Sequence, residues 1–296
     1  MAVLASTALA GTIGTSQAYA SEASQATASI VDAPASAASN DQVTDWFMRS
    51  DAAKASQPHW MTPLVTVTPR LEQEFRYDQG WQVRSGGVDL DNYDSGKGLE
   101  LIPSPHTEVI LGVPAYEVRS SRAGRVTGWS DESLLLKYRI LSADEQQGNY
   151  ILTGFLGLSL PSGDVPFTNT RAVLTPTIAA GKGWGSADRG LDVQSTLGIG
   201  IPLAQQRRLG TTTVWNASLQ AHVLGKLWPE FESTYSVFTD GPNAGKRQWA
   251  LTTGLILGRF DLGPRARLIV GGGYQWTVST FRLFNHSWLG TLRIAF

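Results

Sequence analysis

The segment SWLGTLRIAF, residues 287–296, decides how this chain is read. Taken two residues at a time, it puts Trp288, Leu292, Ile294 and Phe296 on one face, with Gly290 among them. Ser287, Thr291, Arg293 and Ala295 fall on the other. Strand side chains alternate between faces, so this is a strand with one greasy side and one side that carries an arginine. A soluble sheet and the closing strand of a barrel in lipid both have that pattern. The rest of the chain discriminates between them.

Of 296 residues, 42% are hydrophobic and only 17% are charged, against about 25% charged in ordinary soluble domains. Yet no window approaches the roughly 18 unbroken apolar residues of a membrane helix. With 31 Gly, 10 Trp and 8 Tyr, the composition fits a β protein whose apolar residues are spread by alternation. A net charge of −1 points to no nucleic-acid partner and no polybasic membrane patch. The absence of cysteine excludes thiolate metal sites, disulfides and cysteine nucleophiles.

Residues 1–20, MAVLASTALAGTIGTSQAYA, are uncharged and Ala-rich and end Ala18-Tyr19-Ala20, a small-x-small cleavage pattern. They read as a signal peptide without the usual basic start. Residues 21–65 open as a low-complexity Ala/Ser stretch that buries no core of its own. Within it, DWFMRSDAAK (45–54) has the pattern of a short amphipathic helix. This segment either hangs in the periplasm or partly plugs a lumen.

Residues 66–296 contain a series of alternating segments. RLEQEFRYD (70–78) sets Leu71, Phe75 and Tyr77 against Arg70, Glu72, Glu74 and Arg76. Four charges on one strand face are costly in a dry core and tolerable against water. GLELIP (98–103) and TEVILGVPAY (107–116) flank a tight turn. SLLLKYRIL (133–141) sets Leu134, Leu136, Tyr138 and Ile140 against Lys137 and Arg139. Further segments cover 150–160, 172–181, 191–201, 212–224, 230–238, 247–258, 265–277 and the terminus. The total is 12. Many run 9–13 residues, where soluble strands average about 5–6 and tilted membrane strands need about 9–11. Long connections at 79–97, 120–131, 161–171, 202–210, 239–246 and 278–286 alternate with short turns, the asymmetry of outer and inner ends of a membrane barrel. GKGWGSADRG (181–190) is too long for a tidy inner turn. Aromatics such as Trp81, Trp184, Trp228, Trp249 and Trp288 gather at segment ends, where headgroups favour them. The expected fold is all-β, a closed antiparallel up-and-down transmembrane β-barrel of about 12 strands, in contact with outer-membrane lipid and lipopolysaccharide.

Several segments in order resemble the outer-membrane transporter family associated with phenol-degradation (meta-pathway) gene clusters. They are YDQGW (77–81), GKGLELIP (96–103), TEVILGVPAYEVR (107–119), LLLKYRIL (134–141) and LGLSLPSGD (156–164). The resemblance spans roughly residues 62–296 and implies a β-barrel in the bacterial (Gram-negative) outer membrane assigned to uptake. Phe296 resembles the C-terminal signal by which such barrels are handed to the insertion machinery, an implied partner.

The expected lumen lining is Arg70, Glu72, Glu74, Arg76, Glu100, Glu108, Lys137, Arg139, Asp192, Gln194, Asn216, Gln220, His222, Arg265, Arg267 and Arg293. Such a lining is either a charged constriction that selects solutes or a salt-bridge network that fills a narrow barrel. VDLDNYDSGKG (88–98) holds Asp89, Asp91, Asn92 and Asp94, oxygens that calcium favours. The EF-hand spacing is missing, and the segment reads as a solvated acidic loop with no metal. Ser218 and His222 share a face but lie about 13 Å apart along a strand, too far for a nucleophile–base pair. No Gly-x-Ser-x-Gly, His-Glu-x-x-His or phosphate-loop pattern occurs, so no enzyme and no cofactor is expected. The Gly271-Gly272-Gly273 run reads as relief of crowding in a strand. STFRLFNHSW (279–288) is an aromatic outer loop that either folds into the mouth or sits in the girdle. The function these features imply is passive passage of small, aromatic or apolar, solutes through a charge-lined lumen. The alternatives are a closed structural or binding barrel and, behind it, a barrel hydrolase.

Overall fold

A computed structural model describes residues 35–84, 86–94 and 97–296. The expected signal peptide lies outside these residues, as does the low-complexity stretch as far as residue 34. The compact unit Asp41–Phe296 holds the barrel and most of the first helix.

Helix α1 (Ala35–Ala55) is longer than the sequence pattern at 45–54 indicates, because Ala-rich flanks extend a helix at little cost. Strand segments follow as β1 (Glu74–Arg84), β2 (Val88–Tyr93), β3 (Gly98–Ser104), β4 (Thr107–Gly112), β5 (Tyr116–Ser121), β6 (Gly124–Trp129), β7 (Glu132–Ala143), β8 (Tyr150–Leu160) and β9 (Val173–Gly185). Then come β10 (Arg189–Pro202), β11 (Thr212–Val223), β12 (Leu227–Phe238), β13 (Arg247–Asp261), β14 (Arg267–Thr277) and β15 (Phe284–Ala295). They form one antiparallel sheet in which each wall strand pairs with its chain neighbours, and β15 returns to pair with β1. The result is a closed barrel of 12 wall strands.

Three of those wall strands are broken at one height. β1 pairs with β2 along its far part and with β3 near Glu74, so β2 and β3 are two halves of one strand. By the same test β4 continues into β5 and β6 into β7. Two expected outer loops, 79–97 and 120–131, are therefore hairpins that carry the wall onward. Asp89 and Asp91 sit in a paired strand, not a solvated loop. The awkward 181–190 connection resolves because both flanking strands run longer than their patterns, leaving a turn at 186–188.

The closing seam explains the terminal segment. Phe75 faces Ile294, Tyr77 faces Leu292 and Trp81 faces Trp288 on the outside, while Arg76 faces Arg293 on the inside. The alternation is inverted relative to a soluble protein. Leu197 is 47% exposed and Phe231 45%, whereas Lys137, Glu108, Asp192 and Arg293 are fully buried. Exposed Leu111, Leu136, Leu156, Ile178, Leu255 and Leu292 continue that belt on other strands. An apolar exterior of this extent has its natural solvent in hydrocarbon, and closure leaves no strand edge unpaired within it.

Candidate functional site

The site is the lumen, and the chain itself occupies its inner half. Residues 57–73, expected from 66 onward to belong to the wall, fold back inside it. Trp60, Met61, Thr66, Thr68, Leu71 and Gln73 are all buried. Pro63 and Pro69 lack the N–H that a ladder needs, and ordered wall pairing starts only at Glu74 opposite Ala295. Arg70 and Glu72 are thus inside the barrel but belong to this inner segment and not to β1.

A backbone inside a barrel must find partners for its N–H and C=O groups, and the wall supplies them. At the root, Gln57 Nε2 donates to Leu71 O (2.7 Å) and Leu71 N–H donates to Gln57 Oε1 (2.9 Å), clasping the two arms together. Trp60 Nε1 donates to Asn149 Oδ1 at 2.8 Å. Its indole lies where Gly181 and Gly183 of β9 leave out a Cβ. Arg259 Nη2 donates to Trp60 O at 2.9 Å. A register shift at Gly258/Phe260 in β13 brings Arg259 inward and turns Phe260 outward, the re-aiming that bulges provide.

The tip, Thr62–Thr66, is gripped from both sides. Arg293 donates to Thr62 O (2.6 Å) and Pro63 O (3.1 Å), and Arg76 donates to Leu64 O (2.9 Å). Opposite them, Glu230 accepts the Leu64 N–H (3.0 Å), and Glu232 accepts those of Val65 (2.8 Å) and Thr66 (2.6 Å). Two arginines hold carbonyls and two glutamates hold amides, each sign matched to the backbone dipole it meets. Leu64 projects into room left by Gly254 and Gly273, which is the service the triple-glycine run performs. With Met61, Trp228, Ile256 and Ile269 it forms a small apolar core inside the barrel.

On the returning arm, Thr153 Oγ1 donates to Pro69 O (2.6 Å) and Lys137 Nζ to Arg70 O (3.2 Å). Arg70 pairs with Glu72 at 2.8 Å and Lys137 with Glu108 at 2.9 Å. Gln194 donates to Met61 O at 2.9 Å and to Asp192 at 2.9 Å. Gln220 donates to Glu230 at 2.6 Å. His222 bonds Asp192 at 2.7 Å through Nε2 and Ser186 O at 2.7 Å through Nδ1. Both ring nitrogens are thereby occupied, and no nucleophile is among their partners. Glu74 and Glu100 are buried side by side. Arg139 holds α1 through Ala53 O at 2.8 Å.

At the inner mouth, outside the spanning strands, His59 meets Glu145 of the β7–β8 turn. Its backbone N–H donates to Oε1 at 2.6 Å and its Nδ1 lies 2.9 Å from Oε2. Burial pushes the Glu145 carboxyl up, but these His59 contacts prevail and hold it down to about 2.

Beyond the tip the lumen is open. A void of about 320 Å³ lies between Val67 and Leu135, Phe155, Thr196, Val214 and Asn216. A second, about 270 Å³, borders Leu64, Val65, Lys97, Gln275 and Leu289. A third, about 210 Å³, shares Lys97 with the second and Leu135 and Thr175 with the first. A fourth, about 210 Å³, shares Gln275 and Leu289 with the second and reaches Gln82, Arg84 and Ser287 toward the outer hairpins. Shared lining residues make these voids neighbours between the tip and the outer hairpins.

No protein-family model matches the chain, and no curated protein matches it. Among solved structures it is similar to the beta domain of the Bordetella autotransporter BrkA, with 14% identity over 75% of this chain and 98% of that one, TM-score 0.48. It is similar to an outer membrane channel from Pseudomonas putida F1, with 13% identity over 75% and 94%, TM-score 0.47. It is also similar to the NanC porin, with 12% identity over 74% and 98%, TM-score 0.44. At these values the likeness assigns no activity.

Two expected lining residues are not in the lumen. Arg265 lies in the turn before β14, bonded to Asp51 at 2.9 Å and stacked 4.2 Å from the Phe47 ring of α1. Arg267, at the first position of β14, pairs with Asp261 at 3.3 Å, both exposed. Correct strand phase does not put a residue inside when it sits on the rim. Asn216 is only half-buried and lines the void of about 320 Å³. Among the described residues no cluster suited to a metal is present. The loop at 278–283 packs Phe281 edge-on to Phe238 at 5.6 Å. Sequence reasoning missed Glu230 and Glu232, although Glu230-Phe231-Glu232 alternates in the same way as other wall strands. It also missed Asp78, which continues the alternation of Glu74 and Arg76, and Lys97 and Arg259, which no simple period marks.

Proposed function

We propose that this chain is a bacterial outer-membrane channel for passive passage of small solutes, with apolar and aromatic molecules as the favoured class. The observation that carries this reading is the set of neighbouring voids between the outer hairpins and the segment tip, one of them bordered by Leu135, Phe155 and Val214. The family resemblance, with its link to phenol-degradation clusters, makes aromatic solutes the first to try. In this reading residues 57–73 are a plug that sets the width of the inner half. The lining charges hold that plug and impose a field on what passes it. Delivery by a cleaved leader, insertion through recognition of Phe296, and contact with lipopolysaccharide belong to the same proposal.

Conductance of refolded protein in a planar bilayer tests it, with the full chain compared against a variant lacking residues 21–60. The full chain should give small conductance steps and the shortened one larger steps. Absence of conductance from both would leave a closed barrel with a structural or binding role.

A further inference from the structure

We infer that Lys97 and the apolar chambers beside it bind a small organic anion, a carboxylate carried on an apolar body. Such a site presupposes that solute reaches the lumen, as the channel proposal requires.

Lys97 occupies the break between β2 and β3. The backbone is turned there, with φ of 64° at Asp94 and 119° at Gly98. Lys97 O accepts the Val113 N–H at 2.9 Å, which seals the wall behind it. Its side chain lines two of the voids at once.

The other cations of the inner lumen are engaged. Arg70, Arg76 and Lys137 are paired with Glu72, Asp78 and Glu108. Arg139, Arg259 and Arg293 donate to carbonyls. Among the described residues the Lys97 ammonium has neither an ion pair nor a hydrogen bond. Two acids act on it from nearby: Asp78 is taken by Arg76 at 2.9 Å, and Glu100, paired across strands with Glu74, makes no salt bridge to it. An ammonium held partly out of water without a counter-ion is unfavourable, and a ligand carboxylate relieves that.

The chambers on one side of Lys97 supply the rest of the site. The void of about 210 Å³ borders Ile110, Leu135, Gly157 and Thr175, and it shares Leu135 and Thr175 with the neighbouring void of about 320 Å³. No acidic residue lines either; Lys97 is the one charged residue of the smaller lining, and the larger lining has none. A single cation at the end of an uncharged, largely apolar chamber suits an amphiphilic anion. The larger void lies at the lower end of typical ligand-pocket volumes, roughly 300–1,000 Å³.

The test is calorimetric titration of the full-length protein in detergent with benzoate, benzyl alcohol and acetate. Folding of every variant is checked by heat-modifiable mobility. Wild type should bind benzoate about tenfold or more tightly than either of the others, a difference of about 1.4 kcal/mol. Lys97→Gln should abolish that preference and Lys97→Arg should keep it. A second variant, Leu135→Glu, should weaken benzoate and spare benzyl alcohol. Equal affinity for benzoate and benzyl alcohol in wild type, or an unchanged preference in folded Lys97→Gln, overturns the site. Acetate binding as tightly as benzoate overturns the role of the apolar chamber. Because binding is read without flux, the two proposals fail separately. Solute-dependent swelling of proteoliposomes without benzoate preference refutes the site alone. Benzoate binding without swelling or conductance refutes the channel and leaves the site standing.

Discussion

Replacing Glu232 by alanine should loosen the plug tip by an amount the geometry bounds. Its two oxygens accept the Val65 and Thr66 amides at 2.8 and 2.6 Å. Hydrogen bonds to a charged group contribute roughly 1.5–3 kcal/mol each, so the pair sets a ceiling of roughly 3–6 kcal/mol. Val65 borders the void of about 270 Å³, so lumen water can replace the lost acceptor and reduce the loss to about 1–3 kcal/mol. That corresponds to roughly 5–150-fold in the ratio of seated to unseated tip. The chain has no cysteine, so Thr66→Cys provides a sole thiol. Thr66 is 1% exposed and its hydroxyl has no hydrogen-bond partner, so this change removes no hydrogen bond. A membrane-impermeant thiosulfonate should label Thr66→Cys slowly, and Thr66→Cys with Glu232→Ala faster by that factor. Single-channel records should show more frequent openings of the double variant. Equal labelling rates in the two backgrounds would show that the tip is not held by this carboxylate.

Gly183→Val should expel the Trp60 indole, because an added Cβ would lie 2.6 Å from Asn149 Nδ2 and closer still to the ring. The cost is about 1–3 kcal/mol; it should appear as faster labelling at position 66 with the barrel still heat-modifiable. The plug root should be robust to mild acid. Glu145 is held down to about 2, below its unperturbed value near 4.3, so its contribution is full above that value and is lost as pH falls through about 2. Labelling of Thr66→Cys between pH 7 and 5 should therefore slow only as the thiolate fraction falls, and adding Glu145→Gln should speed labelling across that whole range. Leu197→Arg places a charge on the exterior near the middle of β10. In refolding from urea into lipid vesicles it should cost about 2–4 kcal/mol, whereas a cost near zero would mean that this face does not meet hydrocarbon.

The wall was legible because its signal is local. Lys137 and Arg139 against Leu136 and Tyr138, or Asp192 and Gln194 against Leu191 and Val193, state which side is which within four residues. The plug was not, because nothing local separates a strand from an extended segment that bonds to side chains. Arg70, Glu72, Glu74 and Arg76 share one alternation, yet the first two lie in the plug and the last two in β1. What divides them is whether Ala295 and Glu100 are opposite, a fact about residues far away in the chain. Lys97 and Arg259 escaped for a related reason. Each sits where a break or bulge resets the phase, so counting by twos gives the wrong side. Arg265 and Arg267 show a third limit, since phase is silent about height and both lie at the rim.

Twelve strands explain why these features occur together. Eight-stranded barrels can be filled by their own side chains, and those of 16 or more enclose a channel. At twelve, the wall is intermediate between these, and Arg76 and Arg293 are opposed across the seam with Asp78 paired to Arg76 alone. The inner segment fills space there and presents carbonyls to the arginines and amides to Glu230 and Glu232. The buried charges of the inner half are thus neither a free ion filter nor a closed set of salt bridges. Many of them bind backbone, and their field on a passing ion depends on whether the plug is seated. On the proposed channel reading, plug seating and ion selectivity are coupled. A variant that frees the tip should change the reversal potential along with the conductance, and a larger conductance at unchanged selectivity would mean that the charges stay engaged when the lumen widens.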